Sequence, residues 1–173
     1  SMGYKLLSID PSLSSTGYSV IDSDTRGVYD KSRYITKPTV EENERIKNIV
    51  LKLYGVCIQH DITEVAMEDG FISSVNVKTG VQLAKLRGSI ITYFMIKGIA
   101  VHTQTPAETR KNLGLKGNAK KEEVANKIIE LYPDIESSVG PYSDKSNKNK
   151  TSDIYDALCI GNAHLNKKQG LIT

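Results

Sequence analysis

Cysteine and histidine are scarce in this sequence. Its two cysteines, Cys57 and Cys159, are far apart and lack the spacing of metal-ligand pairs, which argues against a cysteine-based zinc site. Each lies in an apolar stretch with helical periodicity, so we expect two buried thiols in a reducing compartment. The three histidines, His60, His102 and His164, are also widely separated. They share no ligand spacing, and we expect structural or surface roles for them.

Long hydrophobic runs are absent as well. The longest apolar run, at residues 90–101, is interrupted by Lys97 and Gly98 and is too short to cross a bilayer. The sequence contains no signal-peptide pattern and no internal repeat. We therefore expect a cytoplasmic protein with no membrane association.

The composition is that of an ordinary globular domain. Of the 173 residues, 39% are hydrophobic and 25% are charged. A chain of this length can bury about 70% of the surface that it exposes when unfolded. We expect a single domain over residues 1–173.

The positive charge is concentrated in the last third of the chain. Residues 1–109 carry 12 basic and 12 acidic side chains, whereas residues 110–173 carry 11 basic and 8 acidic ones. Most of the surplus lies in two clusters, at residues 109–121 and 144–150. A solvated lysine surface is the simplest explanation, but the asymmetry also permits a polyanionic partner.

Strand and helix patterns alternate along the chain. The predicted elements are strands at 4–9, 16–21, 28–35, 62–67 and 99–104, and helices at 39–60, 79–97, from 106, at 119–132 and from 151. The first three strands are close enough in sequence to form an antiparallel meander. We therefore expect an α/β fold: a mixed five-stranded sheet, with a meander plus parallel strands and helices on both faces.

The closing helix carries two acids in a mostly apolar stretch, TSDIYDALCIGNAH. Asp153 and Asp156 are three residues apart, so their carboxylates share one face of the helix. Two such charges about 4 Å apart repel by roughly 4 kcal/mol at an effective dielectric near 20. Favourable placement in the first turn, after an N-cap at Thr151 or Ser152, is the simple alternative.

Two further acids stand at the ends of strands. Asp10 closes the first strand and Glu68 closes the fourth. Adjacent parallel strands bring such residues side by side at the carboxyl edge of a sheet. With Asp153 and Asp156 they make four carboxylates, which cannot all stay ionised together without a cation. Mg²⁺ suits oxygen ligands, and two ions about 3.5–4 Å apart promote in-line displacement at phosphorus.

Five motifs, in chain order, resemble the RuvC-type Holliday junction resolvases of the ribonuclease H-like superfamily. They are SIDPSLSSTGYSVI, VAMEDGF, VQLAKLRGSI, VHTQTPAETRKNL and SDIYDALCIGNAH. Singly these motifs are weak, but in this order they span nearly the whole chain. The chain lacks the longer basic tail of some members, and a compact phage-type member is one interpretation.

The resemblance implies a site and a cofactor. Asp10, Glu68, Asp153 and Asp156 fall on the four catalytic carboxylates of the family, which hold two Mg²⁺ ions per active site, with Mn²⁺ as a substitute. The DNA-binding residues that it implies are Phe71, Arg110, Lys111, Lys120 and Lys121.

The resemblance also implies an activity. It points to a structure-selective endodeoxyribonuclease that resolves four-way junctions, or other branched DNA such as forks and flaps, and leaves 5′-phosphate and 3′-hydroxyl ends. Two symmetric cuts require a C₂ homodimer, for which we expect the helix at 79–97 to supply the interface.

Two other functions stay open on the sequence. The segment DPSLSSTG also resembles the phosphate-binding turn of actin-like and sugar-kinase-like ATPases. A module that binds branched DNA without cutting it is the second alternative.

Overall fold

The computed structural model describes residues 3–70, 76–145 and 149–171. Its elements, in chain order, are β1 (Lys5–Asp10), β2 (Ser15–Asp22), β3 (Val28–Ile35), α1 (Glu42–His60), β4 (Glu64–Glu68), α2 (Val77–Ile96), β5 (Ala100–Gln104), α3 (Pro106–Asn112), α4 (Lys121–Leu131), α5 (Ile135–Ser138) and α6 (Ser152–Gln169). None of the helices in these ranges combines the length and apolar content that a bilayer crossing demands.

The five strands form one mixed sheet in the order β3-β2-β1-β4-β5. β1, β2 and β3 pair antiparallel as a meander, and β1, β4 and β5 run parallel. This is the predicted arrangement, and the fold prediction is confirmed.

Two hydrophobic cores cover the two faces of the sheet. Successive strand residues point to opposite faces, so Leu7 of β1 packs with α1 and α2, while Leu6 packs with α4 and α6. Within α2, Leu86, Ile90 and Phe94 repeat every four residues and are fully buried. Burying each such side chain stabilises the fold by about 1.5–3 kcal/mol.

Helix α6 lies very close to β1 and β2, because a glycine stands at each of two contact points. Gly17 of β2 faces α6, and Gly161 of α6 faces β1. A Cβ atom on Gly17 of β2 would lie 2.8 Å from the Cβ atom of Asp153, and nearer still to its carbonyl group. A Cβ atom on Gly161 of α6 would collide with the hydroxyl of Ser8. These two positions therefore fix how closely the acidic end of α6 approaches the sheet.

The start of α6 differs from the sequence prediction. Thr151 occupies the N-cap position but makes no capping hydrogen bond. Its hydroxyl donates to the carbonyl of Pro141 at 2.7 Å and accepts from the amide of Ser143 at 2.8 Å. The prediction of a capping hydrogen bond is wrong, because this hydroxyl instead ties the preceding loop to the helix.

Candidate active site

Asp10 and Glu68 lie next to each other at one edge of the sheet. β1 and β4 are parallel, and their register ends with the pair of Ile9 and Met67. Asp10 and Glu68 each follow that pair by one residue, so both side chains point to the face that α6 covers. Both are partly buried. The strand-end prediction placed these two acids correctly.

Asp153 and Asp156 reach the same place from the first turns of α6. Asp153 is buried at 4% exposure. The hydroxyl of Ser15 donates to its Oδ2 atom at 2.6 Å, and the Lys150 ammonium lies 3.2 Å from its Oδ1 atom. Asp156 is partly buried. We call Asp10, Glu68, Asp153 and Asp156 the acid cluster.

The charges of the acid cluster act on one another. Burial, followed by the negative charges of Asp156, Glu68 and Asp153, raises the pKa of Asp10 well above its usual value. Burial, Glu68 and Asp153 together raise the pKa of Asp156 to about 7. Burial also raises the pKa of Glu68. The four carboxylates therefore lie in one electrostatic environment that disfavours full ionisation.

The donor set fits hard divalent cations. All four side chains offer carboxylate oxygens, the ligands that Mg²⁺ and Mn²⁺ prefer. Lys150 already places one positive charge against Asp153, as expected where negative charge is in excess. The oxygens are not tightly gathered, however. Within the described residues, the three side chains whose ligand atoms lie within 4.8 Å of one another are Glu64, His102 and His164.

The raised pKa of Asp156 predicts how stability depends on pH. The pKa of this carboxyl group is about 7 in the folded chain, above the ordinary aspartate value of 3.8. Its contribution to stability is therefore fully present below pH 3.8 and is lost as the pH rises through about 7. With divalent ions chelated, Asp156→Asn should therefore gain stability over the unchanged protein between pH 5 and pH 8. Urea unfolding across that range measures the difference.

The exposed Asp134 supplies the control for that comparison. Asp134→Asn removes an exposed carboxylate, so the stability of this variant relative to the unchanged protein should stay constant with pH. If the free energy of unfolding of Asp156→Asn followed pH in the same way as that of the control, the pKa of Asp156 would not be raised in the folded protein.

Two of the predicted DNA-binding residues lie beside the acid cluster. The positive charges of Arg110 and Lys121 both oppose the rise in the pKa of Asp156. The Arg110 guanidinium is held in place by donating to the carbonyls of Ala119, at 2.7 Å, and Pro106, at 3.2 Å. Arg110 is thereby anchored at the edge of the acid cluster.

The other three predicted DNA contacts are Lys111, Lys120 and Phe71. Lys111 and Lys120 are exposed, and Lys120 directly precedes Lys121 at the start of α4. Phe71 lies outside the described residues.

Three residues around the acids were missed by the sequence reasoning. Arg87 of α2 is mostly buried, lies 3.6 Å from Asp69 and opposes the rise in the pKa of Glu68. Lys150 and Ser15 hold the carboxylate of Asp153. The sequence features that could have identified these residues are weak. Arg87 stands within a motif that resembles the family, and Lys150 directly precedes the closing helix.

A polar cavity of about 770 Å³ opens between α4 and the loop before α6. Its charged lining combines three basic side chains with three acidic ones: Lys120, Lys121, Lys145, Glu122, Glu136 and Asp144. Burial, followed by the charges of Asp156 and Asp144, raises the pKa of the Tyr142 hydroxyl, which places this wall within electrostatic reach of the acids. A cavity lined by side chains of both charges thus adjoins the acid cluster.

Comparison with known proteins identifies a family whose sequences match this chain. The family model described as crossover junction endodeoxyribonuclease RuvC matches residues 6–164, a span that includes the whole acid cluster. The RuvC of Carboxydothermus hydrogenoformans is 28% identical over 169 residues, covering 97% of this chain and 99% of its own. The RuvC of Chloroherpeton thalassium is 31% identical over 127 residues, covering 72% of this chain and 68% of its own.

Solved structures of low sequence identity share the fold. A Thermus thermophilus RuvC structure is 20% identical, with a TM-score of 0.76 and 98% of each chain covered. A fowlpox virus resolvase in complex with substrate Holliday junction DNA is 13% identical, with a TM-score of 0.57, covering 94% of this chain and 99% of its own. Together with the family match over residues 6–164, this architecture establishes that the chain belongs to the RuvC family of crossover junction endodeoxyribonucleases.

Proposed function

We propose that this protein is a structure-selective endodeoxyribonuclease, a single ribonuclease H-like nuclease domain over residues 1–173, that cuts four-way DNA junctions with two Mg²⁺ ions. Nucleases of its family depend on divalent metal ions. The observation that carries the proposal is that four carboxylates, from β1, β4 and α6, act on one another electrostatically beside the positive charges of Arg110 and Lys121. Mn²⁺ is expected to substitute for Mg²⁺, because both take oxygen ligands.

Each acid has a separate task in this proposal. Asp10 interacts electrostatically with all three other carboxylates and would be a ligand to both ions, which Glu68, Asp153 and Asp156 would also hold. Bound divalent ions would supply an activated water and charge stabilisation at the leaving 3′ oxygen, the chemistry that yields 5′-phosphate and 3′-hydroxyl ends. Ser15 fixes the orientation of the Asp153 carboxylate through its hydrogen bond of 2.6 Å.

The surrounding basic residues bind the DNA backbone. Arg110 and Lys121 lie next to the acids and position the scissile phosphate, while Lys111 and Lys120 extend the positive surface. Binding through phosphates releases counterions, so affinity should fall steeply with salt. Forks and flaps present similar branch points and are expected as secondary substrates.

A homodimer completes the proposal. A four-way junction needs two symmetric cuts, which a C₂ pair of identical sites supplies. Helix α2 is our candidate for the interface, since Val77, Val81, Met95 and Ile96 are large apolar residues on its exposed surface. The protein is expected to act in the cytoplasm.

The alternatives differ in what they leave unexplained. An actin-like or sugar-kinase-like ATPase has no need of the four acids and is disfavoured by the family match over residues 6–164. A binding module that does not cut has no need of their convergence either.

Synthetic DNAs test the proposed activity. With Mg²⁺ present, we expect a four-way junction to be nicked at least about 100-fold faster than linear duplexes of the same sequence, and a chelator should stop the reaction. Three-way junctions and forks in the same series measure substrate breadth. Tight junction binding with no nicking in Mg²⁺ or Mn²⁺ would favour the binding module instead.

A further inference from the structure

A second group of metal-ligating side chains lies on the same face of the sheet as the acid cluster. Glu64 begins β4, His102 lies in the edge strand β5, and His164 lies near the end of α6. Glu64 precedes Glu68 by four strand residues, which corresponds to about 13 Å along the strand. The two groups therefore occupy opposite ends of one face.

The three side chains converge closely. The His164 Nε2 atom lies 3.1 Å from Glu64 Oε2, and the His102 Nε2 atom lies 3.6 Å from Glu64 Oε1. The two imidazole rings stack with centroids 5.0 Å apart and an angle of 28° between their planes. One ligand atom from each residue lies within 4.8 Å of the other two.

We propose that Glu64, His102 and His164 form a second metal site, which takes Zn²⁺ or a similar transition-metal ion and lies apart from the acid cluster. Two imidazoles and one carboxylate favour Zn²⁺ over Mg²⁺, which prefers oxygen ligands alone. Zinc bonds of 2.0–2.2 Å in tetrahedral geometry set neighbouring ligand atoms about 3.3 Å apart. The two imidazole nitrogens lie 3.1 Å and 3.6 Å from the Glu64 carboxylate, one against each of its oxygens, so each contact is close to that spacing.

The surroundings of Glu64 suit a metal ligand. The Tyr4 hydroxyl donates to Glu64 Oε2 at 2.7 Å, a supporting contact of the kind that orients ligating carboxylates. The Lys168 ammonium and the His164 imidazole contact the other sides of the same carboxylate, at 2.7 Å and 3.1 Å. Both oxygens of Glu64 are thus held in place and turned towards the two histidines.

Lys168 occupies the position of a competing cation. Its ammonium lies 2.7 Å from Glu64 Oε1, and its side chain is 48% exposed. A metal ion bound between Glu64 and the histidines would displace this ammonium into solvent, and the long lysine side chain permits that movement. Removing the ammonium should therefore tighten metal binding, whereas a purely structural ion pair predicts no such gain.

An entry path and an open coordination position are both available. A cavity of about 530 Å³ reaches the site and is lined by Val101, His102, Thr103, Gln104, His164, Lys167 and Lys168. Three protein ligands leave a fourth position for water. A metal ion there would fasten the edge strand β5 and the end of α6 to β4, and would thereby stabilise the fold.

Zinc binding by the full-length protein tests this site. Titration of Zn²⁺ against a chromophoric chelator, in a large excess of Mg²⁺ that fills the acid cluster, should show one tight site per chain. His102→Ala should abolish that site, and Tyr4→Phe should weaken it about 10-fold. Lys168→Met should tighten it several-fold. His60→Ala, which removes a histidine elsewhere, is the matched control and should bind as the unchanged protein does.

Thermal unfolding provides an independent measurement. At free Zn²⁺ of 100 times the dissociation constant, Tm should rise by about 5–10 °C in the unchanged protein and stay constant in His102→Ala. Junction cleavage in Mg²⁺ should be equal in the two proteins, because the site lies apart from the acid cluster. Equal zinc affinity in His102→Ala and the unchanged protein, or weaker binding in Lys168→Met, would overturn the proposal.

Discussion

Asp10→Asn is expected to abolish junction cleavage and to leave junction binding intact. Asp10 lies at the centre of the acid cluster, where it interacts with Asp156, Glu68 and Asp153. Asparagine keeps its size but removes the charge that two divalent ions would share. We expect the cleavage rate to fall by at least about 1,000-fold, which corresponds to about 4 kcal/mol of transition-state stabilisation. Single-turnover cleavage and gel-shift binding on the same junction measure the two properties separately.

The variant should also be at least as stable as the unchanged protein. Burial and like charges raise the pKa of Asp10, so removing its charge relieves repulsion in the metal-free fold. Loss of activity therefore cannot be attributed to unfolding. Asp134→Asn, at an exposed position, should cut at the normal rate. An Asp10→Asn protein that still resolves junctions would refute the role assigned to the acid cluster.

Gly17→Ala is expected to cause the largest loss of stability among single methyl additions. The new Cβ atom would overlap the backbone of Asp153, and backbone cannot rotate away as a side chain can. Helix α6 would have to move off the sheet and would carry Asp153 and Asp156 with it. Overpacking of this kind costs about 3 kcal/mol, or about 6–12 °C in Tm for a chain of this size.

Alanine substitutions at two other glycines provide the comparison for the stability loss expected of Gly17→Ala. At Gly161 the new Cβ atom meets the Ser8 hydroxyl, which can rotate, so Gly161→Ala should destabilise less than Gly17→Ala. At Gly55 of α1 nothing lies within 4 Å of the added Cβ atom. Gly55→Ala should stabilise the helix by about 0.5–1 kcal/mol. Equal stability of Gly17→Ala and Gly55→Ala would contradict the claim that α6 packs too closely against the sheet to admit a methyl group at position 17.

The four acids could be predicted to meet because each follows from a local rule. A strand end places Asp10 and Glu68 at one edge of the sheet once β1 and β4 are known to be parallel neighbours. A spacing of three residues places Asp153 and Asp156 on one face of a helix. The strand meander and the alternation of helices and strands predicted the sheet in the same way.

The remaining features depend on contacts between distant parts of the chain. Glu64 and His164 are separated by 100 residues, and their contact requires the packing of α6 against β4. His102 reaches the same carboxylate only through the register of β5 with β4. The expectation of only structural or surface roles for the histidines therefore missed the convergence of His102 and His164 on one carboxylate. The ion pair of Lys150 with Asp153 likewise depends on the path of the loop before α6.

The location of bound Mn²⁺ tests the central claim most directly. Anomalous diffraction from crystals grown with Mn²⁺ should show two peaks about 3.5–4 Å apart, bounded by the carboxylates of Asp10, Glu68, Asp153 and Asp156. Mn²⁺ bound only near Glu64, His102 and His164, or nowhere near Asp10, would contradict the account.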